Sequence, residues 1–182
     1  MEDLSLHLLD LVENSLNAGA NLVEIDIDEQ PLADRMTVTI NDNGKGMDAQ
    51  TLARASDPFF TTRTTRRIGL GLSLIKANAE AWGGGMELSS APGVGTRLHF
   101  WFQLGHIDRQ PLGDWPGTLL GLIMSRPGVE FVYRHRVGEN DFEMDTRELR
   151  RELGPEALQS PAVVNLLRPQ VRGALDELGS TA

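Results

Sequence analysis

Leu4, Leu8, Leu9, Leu11, Val12 and Leu16 recur at helical spacing, and Asn17-Ala-Gly-Ala-Asn21 then stops the helix, with Gly19 suited to a left-handed cap. Residues 23–28, Val-Glu-Ile-Asp-Ile-Asp, alternate strictly and predict a half-buried strand. After a turn at 30–35, residues 36–40 supply its strand partner. A short helix is predicted over about 48–55, and a loop rich in threonine and arginine follows it. A stronger helix runs from about 71 to 82, where Gly83-Gly-Gly85 breaks it. Residues 86–90 and 96–102 pair as a hairpin across Pro92-Gly-Val-Gly95. The pattern predicts an α+β two-layer sandwich, with helices on one face of a mixed, mostly antiparallel sheet that ends near Leu104.

Residues 105–117 are rich in glycine, proline and aspartate and read as a linker. Beyond them the pattern predicts a helix over 118–124 and a hairpin of 130–137 with 141–145. A helix follows from Asp145 or Thr146, and a last one opens at Ser160-Pro161 and runs to about Leu178. Two units are therefore expected: residues 1–104, and a small α/β region over 105–182 suited to docking a partner. Val132-Tyr-Arg-His-Arg136 is a basic strand, but the surrounding Glu130, Glu139, Asp141, Glu143 and Asp145 favour ion pairs within the hairpin.

Composition narrows the picture. The 182 residues carry a net charge of -9, from 26 acidic against 17 basic residues, which argues against a general nucleic-acid surface. Cysteine is absent, so disulfides, thiolate metal sites and cysteine nucleophiles are excluded. The four histidines are scattered, without metal-ligand spacing. Nothing at the amino terminus resembles a signal peptide, and no apolar run approaches the ~20 residues of a membrane span. A soluble, cytoplasmic protein is the expectation.

Four segments carry candidate chemistry. In Asp10-Leu-Val-Glu-Asn-Ser-Leu-Asn-Ala18, helical spacing puts Asp10, Asn14 and Asn17 on one stripe. Asn14 offers a neutral oxygen suited to magnesium that phosphates also hold, and Asp10 could orient or deprotonate a water. The same residues would equally form the wet face of an amphipathic helix. In Asp42-Asn-Gly-Lys-Gly-Met47, a carboxylate at a strand end can accept from the exocyclic amine of adenine, while the glycines let backbone approach a flat base. An ordinary Asp-Asn-Gly turn would look alike. Asp57-Pro-Phe-Phe-Thr-Thr-Arg63 leads into a loop with Arg66 and Arg67, a basic cluster that suits a lid over triphosphate or simple solvation. Gly69-Leu-Gly-Leu-Ser73 starts a helix whose free amides and dipole make a phosphate cradle.

Together with Gly93-Val-Gly-Thr96, these segments resemble the ATP-binding boxes of the GHKL superfamily, which includes DNA gyrase, heat-shock chaperone ATPases, histidine kinases and mismatch-repair ATPases. The resemblance covers residues 4–104 and implies a Bergerat-type sandwich with ATP between sheet-end loops and a lid. The first box is similar to the mismatch-repair ATPases; the later boxes and the short lid over 61–68 are similar to the histidine-kinase catalytic domain. By this resemblance ATP and Mg2+ are the cofactors. Asn14 binds magnesium and Asp42 contacts adenine, with Gly44, Gly46, Met47 and Thr96 around the base. Gly69, Leu70, Gly71 and Leu72 meet the phosphates, Arg63 belongs to the lid, and Asn17 stands where kinases often carry a lysine. Asp10 stands where hydrolysing relatives place a glutamate general base, and it is one methylene shorter.

With three residues before Leu4, no helical hairpin carrying a phosphoacceptor histidine is expected, and His7 reads as a surface or packing residue. The chain is then expected to act as a stand-alone, kinase-like regulator on a partner protein. An ATP-hydrolysing conformational switch and a non-catalytic ATP sensor are the alternatives. A homodimer is left open.

Overall fold

The computed structural model describes residues 3–55 and 71–180. Helix α1 (Leu4–Asn17) starts where the Asp3 carboxylate accepts from the Leu6 amide, and it closes ahead of Gly19 at φ +78°. Strands β1 (Leu22–Gln30) and β2 (Arg35–Asp42) form an antiparallel pair that sets Val23 opposite Asp42. Then come α2 (Ala49–Arg54), α3 (Gly71–Ala81), and the hairpin of β3 (Gly85–Ala91) with β4 (Gly95–Gln103). Helix α4 (Trp115–Ser125), strands β5 (Glu130–Val137) and β6 (Asn140–Asp145), and helices α5 (Thr146–Leu153) and α6 (Pro161–Leu178) complete the order.

Among the described residues, six strands join one sheet, in the order β3-β4-β2-β1-β5-β6. Strands β1 and β5 run parallel, with Ile25 opposite Tyr133, while the other described pairs are antiparallel. The sheet thus continues past Leu104, where the sequence pattern ends it. The reason lies in β5, whose Phe131, Tyr133 and Val137 continue the buried face of β1. The boundary at 104/105 does not divide the sheet.

Burial follows the alternation. Val23, Ile25 and Ile27 of β1, Met36, Val38 and Ile40 of β2, and Leu98, Phe100 and Phe102 of β4 face one core. Helices α1, α3, α4 and α6 cover it through Leu4, Leu8, Leu11, Ile75, Leu119, Ile123, Val171 and Leu175, giving the expected two layers. Truncating a fully buried phenylalanine such as Phe100 to alanine costs about 3–5 kcal/mol in such a core.

The stretch expected as a linker is instead docked. The Leu4 and Ser5 amides donate to the Pro111 and Leu112 carbonyls, and Leu112 and Trp115 are buried. Helix α4 begins three residues before the predicted start, because Asp114 caps the Gly117 amide and Pro116 sits in the first turn, where a missing N–H costs nothing. On the opposite sheet face, Arg134 pairs with Glu143 at 2.6 Å, as expected within the hairpin. It also reaches Asp26 of β1 at 3.4 Å, while Arg136 reaches Asp28 at 3.7 Å. His7 is buried in the helical layer, a packing residue.

Candidate nucleotide site

One end of the sheet gathers the elements that the motifs mark. The end of β2 brings Asp42, the start of β4 brings Thr96 directly opposite it, and α1 lays its last turns alongside. Between them lies a cleft of about 450 Å³. Leu11, Ile40, Leu72, Leu88 and Leu98 give it an apolar wall, and Asn14, Ser15, Asn17, Asp42, Lys45 and Thr96 supply polar groups.

Asp42 is held on both oxygens: Oδ1 accepts from the Gly44 amide at 2.9 Å, and Oδ2 accepts from Ser15 Oγ at 2.7 Å. Each oxygen keeps a lone pair for a ligand. The turn after it is fixed by backbone bonds, the Lys45 amide donating to the Ala18 carbonyl and the Gly93 amide to the Lys45 carbonyl. Gly46 sits at φ +67°, and a Cβ there would overlap the Ala91 carbonyl, so the turn and the β3–β4 hairpin touch backbone to backbone. Asn43 faces away: its Oδ1 accepts from the Asn21 and Leu22 amides, each at 3.0 Å, tying the turn to the start of β1. Asp48 caps α2 by accepting from the Thr51 amide at 2.7 Å, and that bond holds its carboxyl below the usual range.

The first turn of α3 meets α1. A methyl group placed on Gly71 would lie 3.5 Å from Asp10 Cβ and 3.9 Å from the Asn14 amide nitrogen. Asp10, Asn14 and Gly71 are therefore neighbours. Asn14, Asn17, Asp42, Gly46, Met47, Leu72 and Thr96 all line the cleft. Gly44 stands one step back as the donor to Asp42, and Asp10 sits beyond the lining at the exposed end of the helix stripe. Arg63, Gly69 and Leu70 lie outside the described residues. Sequence reasoning missed Ser15 and Lys45, which line the cleft, and Ser90, which binds the Met47 amide at 2.8 Å. Ser15 falls inside the first motif, one residue after Asn14 on the face turned to β2, so helical geometry alone could have flagged it.

As for magnesium, the donors fit a metal shared with phosphates. Asn14 offers one neutral amide oxygen, and no group of three or more carboxylates or histidines able to cage an ion occurs among the described residues.

The sequence profile of the family described as histidine kinase-, DNA gyrase B-, and HSP90-like ATPase matches residues 2–106. A sensor protein of Shewanella frigidimarina is 37% identical over 103 residues, covering 56% of this chain and 16% of that protein. The sensor protein kinase FleS of Pseudomonas aeruginosa is 45% identical over 89 residues, covering 49% of this chain and 22% of that one. The chain thus spans less than a quarter of these relatives. Among solved structures, the N-terminal domain of a DNA repair protein superposes with a TM-score of 0.57 at 16% identity, covering 80% of this chain and 52% of that one. That likeness is one of fold. Its reach exceeds the stretch matched by the profile, so it takes in part of the C-terminal region.

Proposed function

The chain belongs to the histidine kinase-, DNA gyrase B- and HSP90-like ATPase family, and on that premise we propose that it binds ATP with Mg2+ in this cleft and acts as a kinase-like regulator of a partner protein. It carries the family's ATP-binding domain, and its sequence relatives include sensor kinases. The observation that carries the reading is Asp42, an acceptor fixed on both oxygens at the edge of an apolar cleft wide enough for a purine. Adenine presents an amine there. In this reading Asn14 holds the metal, which draws together the charges of the phosphates. Gly69, Leu70 and Gly71 offer amides to those phosphates, Arg63 closes over them, and the work is done in the cytoplasm, where ATP is supplied.

Titration calorimetry of ATP and ADP, with and without Mg2+, tests binding, and a phosphate-release assay run alongside separates turnover from sensing. Transfer is tested with labelled ATP and candidate partners; binding without release or labelling would leave an ATP sensor and reject the kinase reading.

A second reading, an ATP-hydrolysing switch, draws on Asp10 standing beside the first residue of α3. If Asp10 activates water, Asp10→Asn lowers steady-state phosphate release while ATP binding persists. Unchanged release would remove that role.

A further inference from the structure

Ser90 sits on β3, behind the cleft wall, and its hydroxyl meets three polar neighbours. The Met47 amide donates to it at 2.8 Å, the Gly95 carbonyl lies at 2.8 Å, and the Thr96 hydroxyl lies at 3.0 Å. A serine hydroxyl has one proton and two lone pairs. The Gly95 carbonyl can only accept, so it takes the proton, and the Met47 amide can only donate, so it takes a lone pair. Thr96 is left facing the second lone pair, to which its hydroxyl must donate. Its proton is spent inside the wall, and only lone pairs remain for the cleft that Thr96 lines.

The same accounting holds at the neighbouring groups. Ser15 gives its proton to Asp42, and the Asp42 carboxylate has none to give. Thr96 and Asp42 stand opposite each other across β2 and β4, so Ser15, Asp42 and Thr96 form one rim made of acceptors.

We propose that Ser90 is a positioning residue that sets base specificity: by holding the Thr96 hydroxyl as a donor toward β3, it makes the rim accept an exocyclic amine and repel a carbonyl at the same place. The ligand class is a 6-amino purine nucleotide, and 6-oxo purines are rejected. The proposal rests on the reading that this cleft binds the base of ATP. Without Ser90, the Thr96 hydroxyl is free to turn and donate to a 6-oxo group.

The test compares ATP with ITP, which differ at that group, by calorimetry on the full chain. Wild type prefers ATP. Ser90→Ala lowers the ATP-to-ITP preference on the order of five- to tenfold, the worth of about one hydrogen bond gained by one ligand and lost by the other. Ser90→Thr restores the preference. In a Thr96→Val background, Ser90→Ala changes the preference no further. Equal weakening of both nucleotides by Ser90→Ala, or an undiminished Ser90 effect with Thr96→Val, overturns the proposal, since Ser90 would then only brace the hairpin. Ser90→Cys, which keeps the volume but accepts poorly, gives the same readout if the alanine variant does not fold. A wild type that binds neither nucleotide, or both alike, instead overturns the base-binding reading beneath it.

Discussion

Ser15 donates to Asp42 at 2.7 Å, joining the last turn of α1 to the last residue of β2 across 27 positions of sequence. Ser15 is buried, so the bond is shielded from water and fixes the carboxylate rotamer. Removing the hydroxyl by Ser15→Ala should lower stability by about 1 kcal/mol and ATP affinity several-fold. Asp42→Asn replaces an acceptor with an amide that presents hydrogens to the base, and should weaken ATP by about 10- to 100-fold with little change in melting temperature. Calorimetry and a melting curve on each variant check both outcomes; an Asp42→Asn protein that binds ATP like wild type would remove Asp42 from base recognition.

Asn14 should carry the metal dependence. In wild type, Mg2+ should strengthen ATP binding; in Asn14→Ala that gain should shrink on the order of tenfold, a larger change than any in EDTA, because the proposed role of the amide oxygen is to hold the ion. Titrations with and without Mg2+ on both proteins measure the difference directly. A metal effect that survives intact would move the ion to another group.

The buried polar chain under the C-terminal region makes a pH prediction. The Tyr133 hydroxyl and His135 Nδ1 lie 2.7 Å apart, and His135 Nε2 lies 2.7 Å from Glu29 Oε1, with all three side chains fully buried. Burial first, then the negative charge of Glu29, push the Tyr133 phenol well above its ordinary value of 10.0. The unfolded chain therefore gives up this proton at a pH where the native protein keeps it. The contribution to stability is full below about pH 10 and falls as pH rises beyond it, by at most about 1.4 kcal/mol per unit. Urea midpoints at rising alkaline pH should show that slope, and Tyr133→Phe should flatten it. Tyr133 is the one tyrosine in the chain, so phenolate absorbance should appear only as the protein unfolds.

The candidate site was legible because its parts are local. Helical spacing in α1 places Asn14, Asn17 and Asp10, and a strand followed by Asp-Asn-Gly places Asp42, before any tertiary contact is known. What stayed hidden depends on distant partners. Nothing near Ser90 announces that its proton belongs to Gly95, since that follows from the register of the β3–β4 hairpin. Glu29 lies just past the strand predicted over 23–28, yet it holds the core-side position of β1 and is fully buried against His135, more than a hundred residues later. The sheet's extension was missed for the same reason, because parallel pairing of β1 with β5 joins segments with no turn between them to mark it.

That parallel pair determines what happens when the chain is cut. A fragment ending at 104, the unit that the motifs outline, keeps every described group of the nucleotide site but strips β5 from β1. The strand Leu22–Gln30 would then present a row of bare amides and carbonyls to solvent, a template for pairing with any other chain. Such a fragment should self-associate or precipitate where the full chain stays dispersed, as light scattering at matched concentration would show. On that prediction, the C-terminal region has a second consequence: by pairing β5 with β1 it covers the strand edge through which one copy would join another.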